Sequence, residues 1–429
     1  MTAERMWRTH DRLKPSYDVV VIGAGVHGLA IAYYLGKRGI TNVAVLDRGY
    51  LGGGASGRNT AIIRSNYRTP QGVAFYDESV KLYERLALEL DYNVMFSQQG
   101  HLTLAHTDRG VVTLRERAET NRLLGVNSSL ITREQIGELV PGLDMSDRQD
   151  QPILAGLHHP PGGIIRHDAV VWGYARSVDR MGIEIHPHTE VTAIETTPAS
   201  PTLTPRQWAA PSPLGGEGWG EGASGSHRKI TAVVTNRGTI ATRTVVNATA
   251  GWCSAIAHMV GIELPIVTHP LQALVTERLK PWLNVVIVSA TLHVYVNQTD
   301  RGEIVIGEEI DPYSSYSMRS TLRFLENAAS HTLELFPCLA HVKVLRQWAG
   351  ICDMPPDFAP IISTIDDVEG FILDVGWGTY GFKAGPAAGY RVAELIATGR
   401  TPDVLKPFAL SRFANLEPLG EKAAAAVSH

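Results

Sequence analysis

One stretch near the N-terminus restricts the possible folds more than any other: residues 16–47, SYDVVVIGAGVHGLAIAYYLGKRGITNVAVLD. The apolar run VVVI at 19–22 reads as a strand buried on both faces, as in a parallel sheet. It stops at Gly23, and the pattern Gly23-x-Gly25-x-x-Gly28 opens a helix that runs to about Gly39. Residues 43–46 form a second strand, and Asp47 follows it, nineteen positions after Gly28. The glycines let the backbone turn tightly and let a pyrophosphate approach the positive end of the helix. A carboxylate at Asp47 is placed to accept a hydrogen bond from a ribose hydroxyl. Strand, turn, helix, strand and acid, in that order, predict a dinucleotide site.

At 429 residues the chain is long enough for two lobes, each with its own core. A net charge of -4 leaves no basic excess, which argues against a nucleic-acid partner. Cys253, Cys338 and Cys352 are too far apart to build a disulfide framework or a zinc motif. The polar N-terminus has no apolar core of a signal peptide, and no apolar run reaches the length of a membrane span. The expectation is a soluble, cytoplasmic protein.

After Asp47, the glycine-rich segment at 52–67 can pass close to a cofactor without side-chain clash. Helical spacing is expected at 72–90, a strand at 96–106, and two polar helices before Pro141. His158-His159-Pro160-Pro161 reads as a solvent-facing loop, since no third metal ligand stands at useful spacing. A helix with Asp168 as its N-cap is expected to run to about Arg180. Strands at 190–195, 230–236 and 239–247 suggest a small antiparallel sheet, with 246–251 returning to the dinucleotide domain. Between them, residues 197–228 are packed with Pro, Gly and Ser and read as a flexible insertion. Alternation over 265–310 implies a larger sheet, and 318–335 a helix. A buried strand at 371–375 leads into a second turn, Gly376-x-Gly378-x-x-Gly381, and a helix at about 387–397. Two distant glycine turns, one for an adenosine end and one for a reactive ring, favour FAD over NAD. The last helix N-terminus would face the flavin N1–C2=O region.

The motifs GAGVHGLAIAYYL, GRNTAIIRSNY, GGIIRHDAVVWGYAR, HPLQALVTE, HVYV, RQWAGI and GWGTYGFK occur in the order found in the D-amino-acid-oxidase-like flavoproteins. Over nearly its whole length the chain most resembles the β subunits of heterotetrameric sarcosine oxidases. The implied fold is α/β: an FAD-binding Rossmann-like domain of glutathione-reductase type, with an α+β substrate domain on a large, mostly antiparallel sheet. The expected division is 1–92 with 166–264 and 346–429 for FAD, and 93–165 with 265–345 for substrate.

The resemblance implies hydride transfer from the N-methyl carbon of an N-methyl amino acid to non-covalently bound FAD, giving glycine and a one-carbon unit from sarcosine. Arg64 matches the arginine that holds the substrate carboxylate, Lys383 supplies a second positive charge, and Tyr295 lines the same pocket. Cofactor contacts are implied for Gly23, Gly25, Val26, His27, Gly28, Asp47, Arg48, Ser56, Arg58, Asn59, Thr60, Val191, Gly376, Gly378, Thr379, Gly381, Phe382 and Lys383. His167 matches a histidine that carries covalent FMN at the interface with an α subunit, and γ and δ partner chains are implied with it. The absence of lysine from residues 302–307, where monomeric relatives use one to activate oxygen, agrees with electrons leaving through a second flavin.

Three positions depart from the relatives. Ala61 stands where monomeric sarcosine oxidases have arginine. Cys352 lies two positions from their flavin-tethering cysteine and reads as a buried bystander. Tyr380 replaces a glycine usual in the β subunits. The alternatives are an equivalent subunit acting on N-methylglutamate, dimethylglycine or a cyclic imino acid, or a flavin electron-transfer subunit without a substrate site.

Overall fold

The computed structural model describes residues 6–147, 150–198 and 227–421. At its centre is strand β1 (Val19–Ile22), buried at every position. It runs parallel to β2 (Val43–Leu46) on one side, with Val21 opposite Val45, and to Val245–Asn247 on the other. The parallel array continues to Glu184–His186 beyond β2 and to Val368–Val375 beyond Val245–Asn247. Strands with neighbours on both edges and helices over their faces have no solvent side, so their sequences are unbroken apolar runs. Arg228–Thr235, parallel to Val368–Val375, and three antiparallel strands, Val191–Pro198 among them, extend the sheet to nine.

Helix α1 (Val26–Lys37) follows the first turn and packs on the helix Gly381–Thr398 that follows the second. Their closest approach needs a residue without a side chain: a Cβ on Gly389 would lie 2.5 Å from that of Ala30. Helix α2 (Pro70–Leu90) completes this layer, its N-terminus capped by Thr69, whose hydroxyl accepts the Gly72 N–H at 3.0 Å.

A second sheet has eight strands, ordered Val344–Met354, Val267–Arg278, Glu303–Ile310, Val294–Gln298, Val286–Ser289, His101–Ala105, Ala155–His159 and Ser129–Thr132. All pairs are antiparallel except Val286–Ser289 with His101–Ala105. One face closes over Leu102, Leu274, Ile287, Val296 and Ile304, covered by the helix Leu322–Leu335. The other faces the first domain. The α/β architecture with a large, mostly antiparallel second sheet matches the expectation.

Four local expectations are corrected. The last helix begins at Gly381, not near 387, because Pro386 is accommodated inside it. A proline leaves the carbonyl four residues earlier without its helical donor; here that carbonyl, Phe382 O, accepts the Tyr83 hydroxyl at 2.6 Å. Removing that hydroxyl with Tyr83→Phe should cost about 1–3 kcal/mol, since a buried carbonyl is left unpaired; the shift in urea midpoint measures it. Second, His158-His159 ends a strand rather than a solvent-facing loop, and His159 is fully buried. It is satisfied there by the Asn127 carbonyl at 2.8 Å and the Ser65 N–H at 3.2 Å. Third, Asp168 lies inside the first turn of the helix His167–Arg180, with Arg166 at the cap position. Fourth, the helix expected from 318 starts at Leu322, capped by Thr321. Most of the insertion at 197–228 lies outside the described residues. The three cysteines are free, and no helix among the described residues is long and apolar enough to cross a membrane.

Candidate active site

A cavity of about 1280 Å³ runs from the carboxyl ends of β1 and β2 to the second sheet. Its first end is built by the first glycine turn. Gly23 has φ +111, and a Cβ there would lie 2.4 Å from the Ala248 carbonyl oxygen. A Cβ on Gly25 would come 2.8 Å from Ser56 Oγ, which accepts the Val26 N–H at 2.9 Å and so caps α1. Asp47 is fixed at the rim by the backbone N–H groups of Ala24 and Gly49, each at 2.8 Å and each on a different oxygen. Each carboxylate oxygen keeps a second lone pair for a ribose hydroxyl. Arg48 lies with its guanidinium 4.1 Å from the Trp252 ring centroid, closing this end with a cation–π contact.

Arg58, Asn59 and Thr60 line the middle of the cavity. Asn59 holds its own loop, accepting the Ala61 N–H at 2.6 Å, and Ala61 is left-handed at φ 55. The buried Nε of Arg58 has no partner among the described residues, an orphaned donor at the wall. On the far side Gly376 and Gly378 both have positive φ. Gly376 N–H donates to Asp353 Oδ2 at 2.6 Å, and Gly378 N–H to the Asp353 carbonyl at 3.0 Å. Burial pushes the Asp353 carboxyl up to about 6. Thr379, Gly381 and Phe382 line the wall there, at the start of a long helix. Backbone too close for side chains, a carboxylate at a ribose position and two helix N-termini fit FAD, whose pyrophosphate and flavin carbonyl need donors of this kind.

The other end is lined by basic side chains. Arg64 follows β3 (Ile62–Ile63); it is 6% exposed, donates from Nη1 to Asn66 Oδ1 at 3.0 Å and lies 4.6 Å from the Tyr67 ring centroid. Lys383, in the first turn of the last helix, reaches the Thr379 carbonyl at 3.5 Å and lies 5.7 Å from the Tyr380 ring. Burial, reinforced by the Arg64 charge, holds Lys383 well below the ordinary lysine value. Tyr295 packs over Gly307, where a Cβ would meet its ring at 2.0 Å; burial pushes its phenol up, so it stays protonated. Tyr380 stands edge-on to Tyr67, with ring centroids 5.4 Å apart, and its hydroxyl donates to the Glu421 carbonyl at 3.4 Å.

Two residues that sequence reasoning missed complete this end. Arg117, on α3 (Asp108–Leu123), is 9% exposed and donates from Nε to the Asn66 carbonyl at 2.7 Å. Burial, and then Arg64, push its guanidinium down to about 9. His101, the first residue of β4 (His101–Ala105), is held neutral by burial and by Arg64, and its Nδ1 has no partner among the described residues. Two guanidinium cations, a lysine whose charge burial suppresses and a neutral imidazole therefore bound a region that suits a carboxylate beside an uncharged group. A carboxylate ligand should draw Lys383 back to its charged form, because a nearby anion favours the protonated amine. Binding should thus take up a proton, read as a dependence of binding heat on buffer ionisation enthalpy, and Lys383→Met should abolish that dependence.

Of the residues expected to contact cofactor or substrate, all but Gly28, Gly376 and His167 line this cavity. Gly28 acts through packing: a Cβ there would lie 1.8 Å from the Gly23 carbonyl. Cys352 is at the wall, where burial raises its thiol, which disfavours the thiolate needed for a covalent tether. His167 begins its helix outside the cavity, two residues beyond Ile165, whose N–H donates to the carbonyl of cavity-lining Ala61 at 3.0 Å. Burial pulls its imidazole below the ordinary value, leaving it neutral.

Comparison with known proteins agrees with this geometry. Residues 18–395 match the family model described as DAO, FAD dependent oxidoreductase. The chain is 41% identical to sarcosine oxidase subunit beta of an Arthrobacter species, over 97% of this chain and 96% of that one. It is 40% identical to sarcosine oxidase subunit beta of Rhodobacter capsulatus, over 99% and 95%. Among solved structures, L-proline dehydrogenase from P. horikoshii superposes with a TM-score of 0.82 at 29% identity, covering 94% of this chain and all of that one.

Proposed function

Because this chain belongs to the FAD dependent oxidoreductase (DAO) family, we propose that it is the FAD-bearing catalytic subunit of a sarcosine-oxidase-like assembly. It oxidises the N-methyl group of a small N-methyl amino acid, with sarcosine as the preferred substrate. The observation that carries this reading is the convergence of Arg64, Arg117 and Lys383 at the flavin end of a dinucleotide cavity.

Bound FAD supplies the hydride acceptor. The chain's own task is to bind and orient. The Arg64 guanidinium pairs with the substrate carboxylate, in a planar fork that a lysine would not reproduce. Lys383, recharged as the carboxylate arrives, adds the second cation. Tyr295 and Tyr380 wall the region and keep water from the reacting carbon, while neutral His101 leaves the amine free of cationic competition. No side chain has to act as base if the amine binds deprotonated, so positioning accounts for most of the rate.

His167 is, in this reading, the attachment point for a second flavin, FMN, beside the outer surface that partner subunits cover. Support comes from its neutral imidazole and from its place on the segment bonded to the cavity wall at Ala61. Steady-state turnover on sarcosine, dimethylglycine, N-methylglutamate and proline tests the substrate. The highest kcat/KM should be for sarcosine, with glycine released; a preference for proline would replace the N-methyl reading by a cyclic one. Peptide mapping of the chain produced with its partner subunits should place an FMN-sized adduct on the His167 peptide.

A further inference from the structure

Both ring nitrogens of His27 face acceptors. Nδ1 lies 3.0 Å from Asp374 Oδ2, and Nε2 lies 2.7 Å from the carbonyl oxygen of Gly381. A carbonyl only accepts, so Nε2 carries a proton; a carboxylate accepts too, so Nδ1 carries the other. The second oxygen of Asp374 takes the Trp377 indole N–H at 3.0 Å, which leaves that carboxylate fully oriented. The Trp377 ring covers the imidazole at a centroid separation of 4.5 Å. Asp374 is 1% exposed and does not line the cavity, whereas His27 does.

The location gives this pair its consequence. His27 is the second residue of α1, Gly381 is the first residue of the last helix, and Asp374 lies in the strand just before the second glycine turn. One imidazole thus joins the two turns that frame the cofactor. Burial by itself would drive the proton off His27. The Asp374 carboxylate and the Gly381 carbonyl reverse that and hold the imidazole above its ordinary value, with the Asp353 carboxyl adding to the effect. No sequence motif announces the pairing, because the partners stand 347 residues apart.

We infer that His27 is a fixed imidazolium whose charge Asp374 sets, clasping the two helix N-termini together and retaining FAD by turning its positive side to the cofactor. The inference rests on FAD occupying this cavity and is independent of which amine is oxidised. Asp374→Asn keeps the shape and a hydrogen bond to Nδ1 but removes the charge. His27→Gln keeps a donor and loses the imidazolium.

Nitrogen NMR of the histidine side chains in the apoprotein reads the charge without any cofactor. At about pH 8, above the ordinary imidazole value, both His27 nitrogens should be protonated in the parent chain and only one in Asp374→Asn. Fluorescence titration of FAD into the apoproteins should then give a dissociation constant raised about tenfold in both variants, the scale of one charge-assisted contact. Apoprotein melting temperatures separate this from general loss of fold. A neutral His27 in the parent chain overturns the inference, even if neither variant folds. So does unchanged FAD affinity in a folded Asp374→Asn.

Discussion

Replacing Arg64 by alanine lowers kcat/KM for sarcosine about a thousandfold while FAD stays bound. The expectation follows from where the guanidinium stands. It is nearly buried, oriented by Asn66 and by the Tyr67 ring, and lies at the substrate end rather than against the glycine turns. Truncating one partner of a buried, hydrogen-bonded charge pair costs about 2–5 kcal/mol, and each 1.4 kcal/mol is about tenfold. The loss should fall on binding and on orientation together, because a carboxylate held by Lys383 alone can swing. Arg64→Lys should recover only part of it, since an ammonium cannot form the planar two-point contact. Steady-state kinetics with the flavin absorbance recorded on the same samples checks both halves of the statement.

Gly28→Ala removes FAD altogether. The added methyl would lie 1.8 Å from the Gly23 carbonyl and 3.2 Å from a Val21 methyl, and both neighbours belong to the strand and turn that define the site. Relief requires α1 to move away from β1, which carries its N-terminus away from the pyrophosphate position and breaks the Val26 contact to Ser56. The variant should be recovered colourless, and added FAD should not restore the visible flavin spectrum. Gly54→Ala is the matched control, since nothing lies within 4 Å of a Cβ built there.

Much of the fold and part of the site could be read in the sequence because their signals are local. A four-residue apolar strand, a glycine turn and an acid nineteen positions further on occupy one continuous stretch, and the same physics repeats at Gly376. What stayed hidden depends on contacts distant in sequence. Pro386 looks like a helix breaker until the Tyr83 hydroxyl, 299 residues from Phe382, is seen to satisfy the freed Phe382 carbonyl. His159 looks like a loop residue because its partners at Ser65 and Asn127 come from other elements. Arg117 sits on a helix whose polar composition gives no clue to which face is buried. His101 lies on a strand whose alternation fixes two faces but not which of them meets the cavity. The resemblance supplied Arg64 and Lys383; the structure adds the residues that confine them.

Whether bound FAD accepts electrons from an N-methyl amino acid decides the function proposed for this chain. Anaerobic titration of the FAD-loaded protein with sarcosine, followed by flavin absorbance, reads that step without oxygen, partner subunits or a second acceptor. Bleaching of the bound FAD by sarcosine, lost in Arg64→Ala, is the predicted result. Flavin that stays oxidised with sarcosine and with every other N-alkyl or cyclic amino acid tested would contradict it, and would leave a chain that binds FAD without oxidising an amine.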